Sequence, residues 1–318
     1  MEYVYYKMQT MVPMIEAFSS GATFPEISRK NLGKISILLP SLKQQKLVSN
    51  HLSAIDSLVD TKSQMIDVLK SIVDSLYRSW FIDFVPVKAK VEGKQPYGMD
   101  EETAALFPDS FEDSDFGPIP KGWELKQLSD IAEIIDCSHA TKPEPIDSGF
   151  GVLLHVWNID DTGGITLHET FEVEEDEFHS WASRMVLTEG DCVVTKTGRV
   201  AAIGRIPHNL NRNLAMGRNM IGIRMEDSPG FLYAYLLSPL KEIEVIKWLN
   251  SGTVMPSLHV KYAERLSVVF PSRAILRKFE EIIEPLIRLI DDSRASCVSL
   301  ESCRDALLPR LMSGEMEV

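Results

Sequence analysis

Two stretches of the chain carry apolar residues at the alternating spacing of four and three that is typical of a coiled coil. We predict that they form long helices over residues 41–83 and 272–314, each burying one narrow seam against a partner helix. The seam residues are Val48, Leu52, Ile55, Val59, Ile66, Leu69, Val73 and Leu76 in the first helix and Ile283, Leu286, Ile290, Leu300 and Leu307 in the second. Periodicity alone leaves an ordinary helical bundle as the alternative.

The two helices belong to two copies of one sequence unit. Three residue pairs, each 231 positions apart, fix the alignment: Gly21 with Gly252, Pro25 with Pro256, and Pro40 with Pro271. In each copy a short apolar strand, predicted over residues 35–39 and 266–270, precedes the helix. Because each helix follows a similar strand and turn, we expect the helices to pair antiparallel and to act as a spacer.

Between the helices, short apolar runs separated by Gly, Asn and Asp turns predict a globular domain over residues 122–271. Residues 124–128 and 131–135 predict an entry strand and turn, short strands are predicted at 152–156, 185–187, 191–195, 202–206 and 220–224, and a helix is expected over 232–249. The fold class is therefore mixed α/β, with a curved mixed sheet and two long helices. The Pro-rich and acidic residues 84–121 predict a linker with one helical turn near 101–106.

Residues 1–40 carry an apolar pattern between Tyr3 and Phe18 that suits an amphipathic helix. The second copy of the repeat is preceded by a whole domain, whereas the first is preceded by only a short segment. We therefore interpret residues 1–40 as the C-terminal remnant of a first domain. We expect either partial disorder or an exposed apolar surface there.

Composition excludes several classes of protein. The formal net charge of −13 argues against a uniformly basic nucleic-acid coat, so DNA contact has to come from a local patch. The four cysteines form no CxxC pair, which disfavours a zinc site or a disulfide framework. The sequence shows no secretory leader and no apolar run long enough to span a bilayer, so we expect a cytoplasmic protein.

One loose pattern is compatible with a nuclease, namely Asp109, Glu124 and Lys126. In such sites carboxylates hold Mg²⁺ beside a lysine, but Asp109 stands in a Pro-rich loop and the spacing is permissive. The chain also lacks a P-loop, an HExxH motif and a nucleophile elbow. We therefore predict no catalytic residue and no metal site.

A basic region inside the domain is the candidate for binding. Residues 180–225 include seven Arg and Lys residues but only two acidic residues, and Asn, Gly and Thr are interleaved with the basic residues. Such side chains suit phosphates and base edges, and Gly198 permits a close backbone approach. A solvated face is the alternative interpretation for any single arginine.

Five segments together resemble the specificity subunits of type I restriction-modification enzymes. Gly117–Trp123 is similar to the opening of a target-recognition domain, and Asp191–Gly198 to its central strand and turn. The other three resemble the end of that domain and the two helix ends: Ser251–Pro256, Ser79–Phe84 and Leu308–Gly314. The match extends over nearly the whole chain.

The resemblance implies a non-catalytic subunit that recognises double-stranded DNA and directs methylation and restriction to its target. It implies methyltransferase subunits and restriction subunits as partners, with S-adenosylmethionine, ATP and Mg on those partners and no cofactor on this chain. The antiparallel helices would set the gap between two half-sites, although here the front of the first target-recognition domain is missing.

Combined with the basic region, the resemblance assigns DNA contact to ten residues. They are Lys196, Thr197, Arg199, Arg205, Arg212, Arg218, Asn219, Ser251, Gly252 and Thr253. The alternative is a coiled-coil scaffold whose globular domain binds a protein partner. The two differ in their response to salt, because counterion release makes DNA binding steeply salt-dependent.

Overall fold

The computed structural model describes residues 2–19, 26–115, 117–137, 144–167, 169–238 and 257–316. The chain forms two compact units, one of Met1–Asp67 with Asp292–Val318 and one of Val68–Asp291. The described helices are α1 (Glu2–Thr10), α2 (Val12–Ala17), α3 (Arg29–Leu32), α4 (Leu42–Tyr77), α5 (Val85–Val91), α6 (Glu101–Leu106), α7 (Glu175–Trp181), α8 (Pro229–Leu237), α9 (Val260–Glu264) and α10 (Arg273–Ser313). A π-helical turn, Arg78–Ile82, extends α4.

The strands that the structure describes are short and lie in the second unit. They are β1 (Phe111–Glu112), β2 (Ile119–Pro120), β3 (Glu124–Gln127), β4 (Glu133–Asp136), β5 (Gly151–Leu154), β6 (Phe171–Val173), β7 (Val186–Leu187), β8 (Cys192–Thr195), β9 (Ile203–Arg205), β10 (Asn213–Met216), β11 (Met220–Arg224) and β12 (Ser267–Phe270). The mixed α/β class predicted from the sequence is confirmed.

In the first unit, α4 and α10 run antiparallel. Cys297 lies beside the carbonyl oxygen of Val59, whereas Arg304, further along α10, pairs with the earlier residue Asp56 at 3.0 Å. The start of α4 is fixed by a capping box, in which Ser41 and Gln44 each accept a hydrogen bond from the other's backbone N–H. The capping box follows from the local sequence, whereas the pairing joins residues that are far apart in the chain.

The N-terminal segment packs on this helix pair through one face only. Tyr3 and Tyr6 of α1 are buried in a cluster with Leu52 and Leu311, and the Tyr6 hydroxyl donates to Asp56 at 2.5 Å. Five of its other apolar side chains, Tyr5, Met8, Val12, Met14 and Phe18, are exposed, whereas Met11 is buried. The predicted helix is divided at Met11 into α1 and α2, where Pro13 lies in the first turn of α2 and cannot donate to the preceding helix.

The strand predicted over residues 35–39 is wrong, because residues 34–41 have no regular secondary structure. Its counterpart in the second copy is β12, which pairs antiparallel with β3 and joins Val268 to Lys126. A strand is stable only where a neighbour completes its hydrogen bonds. The apolar pattern predicted the tendency but not the partner.

Aromatic side chains join the helices of the second unit. Tyr77 and Phe81, at the end of α4, contact Phe279 of α10 with ring centroids 6.2 and 4.8 Å apart. Residues expected as a linker are packed here as well, since Val87 and Phe107 are fully buried. The helical turn expected near residues 101–106 is α6, capped by the Asp100 carboxylate.

Two four-stranded sheets form the centre of the second unit, in the orders β6-β5-β10-β7 and β4-β11-β8-β9. Their facing sides share a core that includes Val152, Leu154 and Val193. Because side chains alternate along a strand, Leu153 points instead towards α7, and Cys192 and Val194 point towards α8. The domain is therefore a stack of helix, sheet, sheet and helix.

None of the thirteen predicted seam residues is exposed. Seven are buried: Val48, Leu52, Ile66, Leu69, Val73, Ile283 and Ile290. The remaining six, Ile55, Val59, Leu76, Leu286, Leu300 and Leu307, are half-buried. In the second unit α10 also buries Ile275, Leu276 and Ile287, which lie outside a narrow seam because the helix packs on the α/β domain as well.

Candidate nucleic-acid interface

The topology of the two sheets brings several chain segments to one edge of the domain. β8 and β11 are antiparallel, with Thr195 opposite Met220, so the loop after β8 meets the turn before β11. β5 and β10 are parallel, so the segment after Leu154 lies beside the same turn. We call this edge, formed by residues 155–157, 196–199 and 217–219, the loop edge.

Lys196 is a structural anchor of the loop edge. Its backbone N–H donates to the carbonyl oxygen of Asn219 at 2.7 Å, and its own carbonyl accepts from Leu258 at 2.9 Å. Its ammonium pairs with Asp136 at 2.8 Å and is largely shielded from solvent. These contacts hold the loop and the turn together, and they leave Lys196 little reach towards a ligand.

The next three residues form an open loop. Thr197 is half-buried, and Gly198 has φ +72°, a conformation that a side chain disfavours. Arg199 donates to the carbonyl oxygens of Ile159 at 2.7 Å and Asp160 at 3.3 Å, and it pairs with the exposed carboxylate of Asp161. An exposed ion pair contributes roughly 0–1 kcal/mol, so a phosphate could replace Asp161 at small cost.

The turn at residues 217–219 presents two polar side chains, Arg218 and Asn219, both exposed. A Cβ at Gly217 would lie 2.3 Å from the Leu154 carbonyl oxygen, so only glycine allows β5 and the turn to approach this closely. Asn219 has φ +65°, which asparagine tolerates better than most residues. The turn is thus built to hold Arg218 and Asn219 at the surface.

Two residues predicted to contact DNA, Arg205 and Arg212, do not lie at the loop edge. For Arg205 the prediction is wrong, because the side chain is buried. Arg205, at the far end of β9, is 2% exposed and pairs with Asp291 at 2.9 Å and Glu284 at 3.2 Å, both on α10. A buried guanidinium held by two carboxylates supports the fold and cannot reach DNA. A sequence cannot distinguish such an arginine from an exposed one.

Arg212 precedes β10, whereas the loop edge lies after it. Its guanidinium pairs with Glu172 at 2.7 Å. The pKa of Glu172 is held below its usual value mainly by the hydrogen bond from the Gly149 N–H and, to a smaller extent, by the hydrogen bond from Arg212. Arg212 therefore lies at the opposite end of the strand from Arg218. Ser251, Gly252 and Thr253 lie outside the described residues.

Sequence analysis missed the aromatic side of the loop edge. His155 and Trp157 follow β5 and stack with ring centroids 4.2 Å apart and planes 3° from parallel. The signal in the sequence was the tryptophan that directly follows the strand predicted over residues 152–156. A strand that is buried on both faces has no room for an indole, so the side chain has to lie outside it. Trp157 is 53% exposed.

The nuclease-like pattern has no support in the geometry. The Lys126 ammonium pairs with Glu124 itself at 2.9 Å, and Asp109 is exposed in a loop. Over the part of the chain that the structure describes, no cluster of His, Cys, Asp and Glu is arranged to hold a metal ion. None of the described helices combines the length and the apolar character needed to cross a membrane.

Comparison with known proteins finds similarity along the whole chain. Residues 1–71 match a family model described as the type I restriction modification DNA specificity domain. The MjaIX specificity subunit of Methanocaldococcus jannaschii is 28% identical over all of this chain and 69% of its own length. The HindI specificity subunit of Haemophilus influenzae is 24% identical over 94% of this chain and 73% of its own length.

A solved structure shares the fold. The S subunit of a type I restriction-modification system from M. genitalium superposes with a TM-score of 0.56, at 18% identity, over 98% of this chain and 72% of that one.

Proposed function

Because this chain belongs to the specificity subunits of type I restriction-modification systems, we propose that its α/β domain recognises DNA through the loop edge. The chain is the non-catalytic DNA-recognition subunit of such a system. The observation that carries the assignment to the loop edge is that one end of the domain gathers Arg199, Arg218 and Asn219 on exposed loops over a rigid base. Loops on a rigid scaffold are where binding residues concentrate.

Each residue has a role suited to its position. Arg218 offers a guanidinium for guanine or phosphate, Asn219 offers an amide for adenine, and Arg199 can exchange the Asp161 carboxylate for a DNA phosphate. Thr197 and the open backbone at Gly198 suit a phosphate contact. Lys196 positions the loop, and Arg205 fixes the domain on α10.

The partners follow from the same assignment. We infer that methyltransferase subunits bind this chain and supply S-adenosylmethionine, and that restriction subunits supply ATP and Mg. The paired helices α4 and α10 serve as a spacer in that assembly. The protein acts in the cytoplasm, where its DNA substrate lies.

The test is selection from a random duplex library by this chain co-purified with its methyltransferase subunit, followed by sequencing of the bound pool. A double variant, Arg199→Ala with Arg218→Ala, is expected to lose enrichment, since each base-contacting arginine contributes about 1–3 kcal/mol of discrimination. Arg212→Ala is the matched control, because it removes an equally exposed ion-paired arginine from the opposite end of the domain.

Three outcomes separate the hypotheses. Loss with the double variant and retention with Arg212→Ala supports the loop edge. Equal loss with both variants, or with neither, contradicts it. Absence of DNA enrichment by the unmodified complex, together with salt-insensitive binding to a protein, favours the scaffold alternative.

A further inference from the structure

An aromatic cavity opens at the loop edge beside the turn of residues 217–219. Its volume is about 230 Å³. Its walls include Trp157, Phe171 and Trp181, and Arg218 and Asn219 lie at its rim. The cavity therefore combines aromatic surface with the two polar side chains that the proposed function places on DNA.

Trp157 is the unusual member of this set. Of the four tryptophans that the structure describes, Trp80, Trp123 and Trp181 are buried, and Trp157 alone is exposed. Burial of a large aromatic side chain is strongly favourable, because it removes much apolar surface from water. The stability of the fold therefore does not explain why Trp157 is exposed.

The indole is nevertheless held in place. One face stacks on His155, whose ring in turn meets Phe171 edge-on with centroids 5.1 Å apart. The indole Nε1–H donates to the Glu169 carbonyl oxygen at 3.4 Å. A rigid aromatic surface loses little conformational entropy on binding, which favours recognition.

The segment that carries Trp157 lies beside the residues proposed to contact DNA. The Gly217 N–H donates to the Leu154 carbonyl at 2.9 Å, directly before His155, and Arg199 donates to Ile159 and Asp160, shortly after Trp157. The segment carrying Trp157 is thus hydrogen-bonded on one side to the turn of Arg218 and on the other to Arg199. The Trp157 indole and Arg218 line the same cavity, so a duplex that contacts Arg218 would lie close to the indole.

We propose that Trp157, supported by His155, is a base-contacting residue that packs against a nucleobase of the DNA target. Apolar side chains distinguish bases by contact with groups such as the thymine methyl, and aromatic rings pack on bases that a distorted duplex exposes. The proposal rests on the proposed function and adds to it a specificity-determining residue outside the basic set. Arg218 and Asn219 would hold the adjacent phosphate and base edge.

The experiment repeats the library selection with Trp157→Ala in the methyltransferase complex. We expect the enriched motif to lose its preference at one base position, with affinity for the unmodified target about 10-fold lower. Trp157→Phe should retain most of the preference, because a phenyl ring keeps an aromatic surface. Phe150→Ala is the matched control, since this exposed aromatic residue precedes β5 and so lies at the other end of the same strand.

A second measurement does not depend on a loss of binding. In a Trp248→Phe background, which removes the one tryptophan outside the described residues, the part of the acrylamide quenching of the complex that Trp157→Phe abolishes reports on Trp157. We expect target DNA to reduce that quenching at least two-fold.

The proposal is overturned if Trp157→Ala enriches the same motif with the same affinity, or if bound DNA leaves quenching unchanged. Failure of the unmodified complex to select any motif would instead overturn the proposed function. Thermal unfolding of Trp157→Ala separates both from misfolding, and its midpoint should match that of the unmodified chain because the side chain is half exposed.

Discussion

The two copies of the sequence repeat fold alike in their helices and differently in the segment before them. In the second copy Ser267–Phe270 forms β12, paired with β3. In the first copy the equivalent residues 36–39 form no strand. The helix depends on local hydrogen bonds and a seam, whereas the strand depends on a neighbour, which among the described residues is present for the second copy and not for the first.

Burial shows the same contrast. Leu266 and Val268 are 2% and 1% exposed, whereas the equivalent Ile35 and Ile37 are only half-buried. Val269 and Phe270 are half-buried, whereas the equivalent Leu38 and Leu39 are 89% and 49% exposed. The two segments have similar apolar composition. Burial is therefore set by what the segment packs against and not by its own sequence.

The helices themselves diverge at the positions that meet the α/β domain. Glu280 accepts hydrogen bonds from the N–H groups of Gly230 and Phe231 at 2.7 and 3.1 Å, at the start of α8. Asp291 pairs with the buried Arg205. The residue of the first copy equivalent to Glu280 is Ser49, and the one equivalent to Asp291 is an exposed Asp60. An acidic residue at one repeat position thus has a buried partner in one copy and faces solvent in the other.

The largest expected effect comes from a charge in the strand position. Val268→Asp should destabilise the second unit by more than about 4 kcal/mol, because it buries a carboxylate without a partner. The equivalent Ile37→Asp in the first copy should cost under about 1 kcal/mol, since Ile37 is half-buried outside any strand. Urea unfolding followed by circular dichroism measures both. Similar losses would mean that the first segment has a packed partner in solution.

The buried ion pair gives the next effect. Asp291→Ala should cost about 3–5 kcal/mol, because it removes one partner of a buried guanidinium. Asp60→Ala, at the equivalent position, should change stability by less than about 0.5 kcal/mol. The same unfolding measurement compares them.

A further variant identifies the cause of that loss. Adding Arg205→Met to Asp291→Ala should recover much of the lost stability, because it removes a buried guanidinium that is left with Glu284 as its one remaining carboxylate. No recovery would show that the loss comes from packing and not from charge.

The contribution of Glu280 to stability depends on pH, whereas that of the equivalent Ser49 does not. Burial raises the pKa of Glu280, opposed by the hydrogen bonds from Gly230 and Phe231. A carboxyl group whose pKa is higher in the folded than in the unfolded chain stabilises the fold while protonated, and this contribution is lost as pH rises from about 4.5 through the raised folded value.

Glu280→Gln should cost about 1 kcal/mol at low pH through a weaker cap on α8, and the cost should shrink as pH rises. Denaturant unfolding between pH 4 and 8 measures the trend. Ser49→Ala, at the repeat-equivalent position, should give a difference that does not vary with pH. A cost that grows with pH would contradict the assigned direction of the pKa shift.

The sequence was sufficient for the features that depend on local pattern. The heptads and the Pro-Ser pairs predicted both long helices, and alternating apolar runs predicted most strands. β6 and β10 were missed because Phe171–Val173 lies in an acidic stretch and Asn213–Met216 is flanked by asparagine and arginine. Both are stabilised by pairing with β5, at a sequence distance that periodicity does not report.

The candidate interface was predictable in composition but not in arrangement. Arg199, Arg218 and Asn219 were expected at a binding surface, and the structure brings them to one edge. Arg205 and Arg212 belong to the same basic region of the sequence, yet each lies at the end of its strand that is opposite to the loop edge. Strand direction and order separate them, and neither is encoded in a list of basic residues.

The smallest expected effect is the sharpest test of the comparison. Leu38 is almost fully exposed, so Leu38→Ser should leave the free energy of unfolding, measured in urea, unchanged within about 0.5 kcal/mol. Val269→Ser, at the equivalent position in β12, should cost about 1 kcal/mol, because a half-buried β-branched residue in a paired strand is lost. If Leu38→Ser also destabilises the chain, and does so more at high protein concentration, the first segment is covered by another molecule in solution. The difference between the copies would then lie in whether the partner strand is supplied within the chain or from outside it.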